Sequence, residues 1–456
     1  MSAVSSVRCA LGLPSGRRCR LMCRGTASLC PLHRPPSPLV FPTPVPSSAH
    51  FTLETVHKLL SSDGEAIVSA LVELDKCYTV AHLDAILSMN LLDRLLQLLD
   101  VRFGPVIQFH AAWVLTNMTA LEDNNGCYAV ADAGGIEILV GAAHTLDDAL
   151  RHQVYWCLAN LAGADDILRA EVAAVHLRLP LMPALDLKCR EEAAHLWMNV
   201  APALSAELCV AQCHDNLRLL FEVTDHMNLK RLGLEILERI RHIHGHETLA
   251  ASVEKCTDLL LEMCGTAVLA KKALLLVGDI VSSNRHDVIH RLLDNDLCGI
   301  LKRLLSEGRF KVNVLWILSN VAIESAGTVL THEDLIQAVG KRLIVAHKDE
   351  CKEAVWFFGN LVKSATPTQV ATILRLVPNL GLRLQALLIH GAGVLSAKEL
   401  VVVLETFSAL LTKSDAARRA LLLTPYAFTV AEGHADAAVS AAATALLNAW
   451  VAASHT

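Results

Sequence analysis

His110–Asn117 reads HAAWVLTN, Gln153–Asn160 reads QVYWCLAN, Asn313–Asn320 reads NVLWILSN and Glu353–Asn360 reads EAVWFFGN. Each segment sets a tryptophan four residues before an asparagine, the spacing that stacks two side chains on one helix face. Four of the six tryptophans stand in this register, too many for an accident of composition. Around the first pair, Ala111, Leu115 and Met118 form a separate apolar stripe at i, i+4, i+7 that suits a core. Trp113 and Asn117 lie on another stripe, and an amide beside an indole suits a surface. The helix is expected to bury the first stripe and display the second.

The asparagine marks a repeat. Starting from Asn117 and Asn160, the same helical slot recurs at Asn199, Glu238, Asp279, Asn320, Asn360, Ala409 and Asn448, at intervals of 43, 39, 39, 41, 41, 40, 49 and 39. EAIVSALVELDK adds a unit one period upstream, with Lys76 in the slot. Ten units of roughly 40 residues suit armadillo or HEAT repeats, in which each unit buries its apolar faces on its neighbours. The composition, 53% hydrophobic but only 4% aromatic, is dominated by Leu, Ala and Val and favours helix over sheet. The expected fold is therefore all-α, a right-handed superhelical armadillo-repeat solenoid of about ten repeats over residues 51–456. No run of 18 or more apolar residues is long enough to span a bilayer as a helix.

A row of such pairs has a chemical use. An asparagine amide both donates and accepts, so it can hold one peptide unit of an extended chain without reading its side chain. The indoles beside it form slots in which the stem of a lysine or arginine packs and its cation meets a ring face, about 0.5–2 kcal/mol each. Residues 51–456 hold 34 basic and 46 acidic side chains, a net −12, which favours cationic partners and disfavours nucleic acid. The combination predicts a groove for basic, extended peptides.

QFHAAWVLTNMTA, HQVYWCLANLAG, VLWILSNVAIES and CKEAVWFFGNLV resemble the third helices of importin-α, the nuclear-import adaptor family. The resemblance covers about residues 55–450 and includes the order: three marked repeats, two irregular ones, then two more marked. It implies a major cargo site at Trp113, Asn117, Trp156, Asn160, His195 and Asn199, and a minor one at Trp316, Asn320, Trp356 and Asn360. Glu353, three before Trp356, matches an acidic residue that the family sets against a cargo cation. It also implies a cytoplasmic and nuclear location and an importin-β-type carrier as a second partner.

Several positions depart from that pattern. His195 replaces the third tryptophan, and Trp197, two residues before Asn199, faces the opposite side of the helix and is expected in the core. A neutral His195 can stack; a protonated one repels lysine. Four after Asn160, where the family carries its key aspartate, stands Ala164, so Asp165 is the expected substitute after a one-residue shift in the turn. Leu121 replaces a family glycine. The importin-β-binding segment has no counterpart beyond the arginines of SGRRCRLMCRG.

Residues 1–50 hold six arginines, no lysine or acid, and eight of the fifteen prolines. They are expected to be a disordered tail or an organelle-targeting segment. The fourteen cysteines are scattered in apolar stretches and expected reduced and buried. Cys209/Cys213 lack the partners of a metal site, as do the histidines of RHIHGHE (residues 241–247), which are expected in a surface loop, and no catalytic motif or cofactor loop is present. The rival to an import adaptor is an armadillo scaffold, cytoskeletal or ciliary, that holds a different extended segment.

Overall fold

The structure, a computed structural model, describes residues 52–454 except 77–78, 180–183, 224–225, 345, 392 and 415–425. It also describes two three-residue strands, Ser6–Arg8 and Met22–Arg24, paired antiparallel. The expected disordered tail or targeting segment at 1–50 otherwise lies outside the described residues.

The chain divides into two compact units, residues 1–243 and 244–456. Within 52–454 both units are built from helices, and a helix stands at or beside each of the ten marker positions. We number these ten and cite the helices between them by residue. Those of the first unit are α1 (Gly64–Leu74), α2 (Gly104–Thr119), α3 (Asp148–Ala164) and α4 (Leu187–Val200). Helix α5 (Met227–Val253) contains the division between the units. The second unit continues with α6 (Ala270–Val281), α7 (Lys311–Glu324), α8 (Lys348–Ser364), α9 (Ala397–Lys413) and α10 (Ala437–Ser454).

Successive marker helices pack on one another, α2 on α3 and α3 on α4 in the first unit, α7 on α8 and α8 on α9 in the second. Sequence explains each of them locally. Asp147 caps α3 by accepting from the Leu150 N–H at 2.8 Å, and Asp186 caps α4 through Cys189 at 2.8 Å. The stripe Leu150, Val154, Leu158 and Leu161 is fully buried on α3, as Ala111, Leu115 and Met118 are on α2. At roughly 1.5–3 kcal/mol for each large apolar side chain, these stripes and their counterparts drive the stacking.

One reading changes and one holds. RHIHGHE, expected as a surface loop, is helical on both sides of Gly245. That residue alone takes φ 84°, which a side chain would resist, so one glycine breaks the helix without a loop. Trp197 is 1% exposed, with its indole N–H buried and without a partner, in the core where its helix parity places it.

Candidate peptide groove

The asparagines share one bonding rule. Asn117 Nδ2 donates to the Asp75 carbonyl at 2.9 Å, Asn199 Nδ2 to Ala159 at 3.0 Å, and Asn360 Nδ2 to Ser319 at 2.9 Å. Asn160 reaches the Thr116 carbonyl at 3.5 Å and the Thr119 hydroxyl at 3.3 Å. Every acceptor carbonyl belongs to the residue just before the preceding marker: Asp75 before Lys76, Thr116 before Asn117, Ala159 before Asn160, Ser319 before Asn320. Asn320 obeys the rule through a relay. It donates to Ser282 Oγ at 3.0 Å, and that hydroxyl donates to the Gly278 carbonyl, just before Asp279, at 2.8 Å.

Each asparagine therefore ties its repeat to the one before with a single N–H. Its second N–H and its Oδ1 have no other protein partner among the described residues, and all five side chains are partly exposed. What remains is one donor and one acceptor per repeat, the complement of a peptide unit. The expectation assigned both groups of each amide to a ligand, whereas one N–H is spent on the preceding repeat.

The aromatic row differs between the units. Trp113 and Trp156 are 40% and 42% exposed, large for indoles in a stacked array. Phe109 braces Trp113 edge-on at 5.5 Å, and His152 braces Trp156 at 5.9 Å. In the second unit Trp316 and Trp356 are half-buried. The Trp316 ring lies on Gly278, so close that a Cβ there would stand 2.0 Å from a ring carbon. The Trp356 indole lies near the Glu399 carboxylate, which Ser396 holds and whose pKa is lowered. His195, in the third slot, is half-buried; burial first, and Arg231 beside it second, hold its imidazole below its ordinary pKa. It stands as a neutral ring, able to stack.

The carboxylates are not equivalent. Asp165, the expected partner for a cargo cation, caps the helix Asp166–His176 through the Ile167 and Leu168 N–H groups, both at 2.9 Å. It also accepts the Tyr128 hydroxyl, and that bond leads in holding its pKa down. Its oxygens are committed before any ligand arrives. Glu353 is different: burial, then the charges of Glu399 and Asp349, push it up to about 7. Glu192, which the sequence reading passed over, is also pushed up to about 7, by burial and then Glu191. It lies seven residues before Asn199, as Glu353 lies seven before Asn360, and that shared register was the available signal.

Glu324, one turn after Asn320, is held by His286 Nδ1 at 2.7 Å and His290 Nε2 at 3.3 Å. Asp148, Asp186 and Cys189 bring three potential metal-ligand atoms together. Arg151 already pairs with Asp148 at 2.6 Å, and the buried Cys189 thiol donates to the Asp148 carbonyl, its pKa raised by burial and by Asp186. That trio is a bonded structural corner. His246, from RHIHGHE, lies 3.6 Å from Asp279. Nine cysteines, Cys209 and Cys213 among them, are buried.

The structure thus lines up Trp113/Asn117, Trp156/Asn160 and His195/Asn199 on consecutive helices of the first unit. It places Trp316/Asn320 and Glu353/Trp356/Asn360 on consecutive helices of the second.

No family model matches the chain. It is similar to importin subunit alpha-8 of Arabidopsis thaliana, 23% identical over 335 residues that cover 70% of this chain and 73% of that protein. It is also similar to importin subunit alpha-2 of the same plant, 26% identical over 158 residues, 33% of this chain and 29% of that one. Probable importin subunit alpha-A of Dictyostelium discoideum is 31% identical over 113 residues, 24% and 20% of the two chains. Among solved structures, an engineered protein from the Northeast Structural Genomics Consortium matches with a TM-score of 0.59 at 18% identity, covering 87% of this chain and 98% of that one. At that identity the likeness bears on the fold alone, and it agrees with an all-α repeat array.

Proposed function

We propose that the chain, a divergent relative within the importin-α/armadillo family, is a cargo adaptor of the nuclear-import type. It binds extended, lysine- or arginine-rich segments of other proteins and works between cytoplasm and nucleus. The observation that carries this reading is the row of half-committed asparagines beside accessible indoles. One N–H of each amide fixes the array, and the remaining donor and acceptor meet the backbone of the bound segment. Trp113, Trp156, Trp316 and Trp356, with His195 as a neutral ring, stack on cation stems, and Glu353 pairs with a cation. A net charge of −12 on residues 51–456 draws basic segments in, so affinity falls as salt rises. Any importin-β-type carrier would engage through residues 1–50, and deleting them should then abolish its binding but not that of cargo.

The test is a fluorescence-anisotropy titration of the full chain with a labelled lysine-rich peptide, beside a copy with its lysines changed to alanine. Micromolar or tighter binding that disappears with the lysines is expected. Equal binding of both copies, or of neither by a folded helical sample, overturns the reading.

A further inference from the structure

The geometry points to Glu192 as the carboxylate that seats a lysine or arginine side chain of the bound segment in the first unit. The inference rests on the proposed function and deepens it: it supplies the acid that this stretch of groove otherwise lacks.

Three observations converge on it. Glu192, His195 and Asn199 lie at i, i+3, i+7 and share one face of α4, the same arrangement as Glu353, Trp356 and Asn360 on α8. Across from α4, His152 Nε2 on α3 stands 3.8 Å from Glu192 Oε1, and the His152 ring meets the Trp156 indole edge-on at 5.9 Å. The carboxyl therefore stands next to the ring that braces the exposed Trp156 and one turn before the neutral His195 on its own helix, a place where an aliphatic stem could lie with its charge inward. The other acids nearby are engaged or absent. Asp165 serves Tyr128 and a helix N-terminus, Asp148 pairs with Arg151, Asp186 caps α4, and position 164 is alanine.

Glu192 itself has no lysine or arginine partner among the described residues. His152 beside it is kept largely uncharged by burial. The remaining charges around this slot are Glu191 and Lys188 on α4, and Arg231 and Glu235 on α5, which pair with each other at 2.8 Å. A half-buried carboxyl left without a cation holds its proton near neutrality, and Glu192 is displaced that way, to about 7. An ammonium or guanidinium group in the slot would take the proton's place. A neutral side chain of the same length would not, and that difference is specificity for cations.

A double-mutant cycle on the full chain tests this. Wild type and Glu192→Gln are titrated with a lysine-rich peptide and with copies carrying norleucine in place of one lysine at a time. Glutamine imitates the protonated acid, so folding should persist; if it does not, Glu192→Ala takes its place in the cycle. The expected result is a roughly tenfold loss of affinity for the all-lysine peptide, with one norleucine copy binding wild type and variant within about twofold. That position should differ from the one coupled to Glu353 in a parallel Glu353→Gln cycle. Unchanged affinity, or an equal loss for every peptide, overturns the role of Glu192. Wild type indifferent to all its lysines instead sinks the proposed function, so the two failures are told apart.

Discussion

Changing Glu353 to glutamine should make the protein more stable at pH 8 and leave it unchanged near pH 4.5. The folded carboxyl titrates at about 7 against an ordinary 4.5, so the folded chain holds this proton more tightly than the unfolded one. A raised carboxylate pKa costs nothing below the unfolded value. The penalty grows as pH climbs from about 4.5 to about 7 and is complete above that. A displacement of about 2.5 (7 − 4.5) at about 1.36 kcal/mol each sets a ceiling of about 3.4 kcal/mol. The side chain is only half-buried, and solvent screening reduces this to about 1–2 kcal/mol. Glutamine keeps the shape of the neutral acid and removes the penalty. For a cooperative unit of this size that corresponds to a rise in melting midpoint of about 2–6 °C at pH 8. The assay is a thermal melt followed by the helical circular-dichroism signal at both pH values. No gain at pH 8, or the same gain at pH 4.5, refutes the desolvation account. The same substitution should weaken binding of a lysine-rich peptide, because the strain the free protein carries is what a cation relieves.

Trp156→Ala should leave the melt within about 0.5 kcal/mol of wild type while weakening peptide binding, whereas Trp197→Ala should cost about 3–5 kcal/mol of stability; chemical denaturation and anisotropy on the same samples read both, and equal stability losses would refute the division of the tryptophans between groove and core. Gly278→Ala puts a methyl 2.0 Å from a Trp316 ring carbon, so it should displace that indole, shift its fluorescence and destabilise by about 1–3 kcal/mol; an unaltered emission spectrum would show that the ring does not lie on this glycine.

The array was legible because one side chain repeats for a structural reason. The N–H of Asn199 needs the Ala159 carbonyl, that of Asn360 needs Ser319, and so an amide holds the same slot in six of the ten repeats. The core position of Trp197 was legible from helix parity, since two residues reverse the face. What escaped depended on contacts between distant segments. Asp165 reads as a free acid until Tyr128, 37 residues earlier, is found on it. Glu192 reads as an ordinary surface charge until α3 covers it with His152. RHIHGHE reads as a turn because histidines and a glycine cluster there, yet a single positive φ suffices to break the helix. Ser282 carries no signal at all: its hydroxyl matters only because Asn320 stands over it.

The marker asparagines answer to two demands and the exposed tryptophans to one. Losing an asparagine removes a repeat-to-repeat tie as well as a proposed ligand contact, whereas losing Trp113 or Trp156 would remove little but the proposed contact. If a lineage of this chain ceased to carry cargo, its indoles would drift first and its amides would persist. The asparagine row alone is therefore a record of architecture. On the proposed function, the solvent-facing tryptophans beside it are the part that other proteins would keep in place.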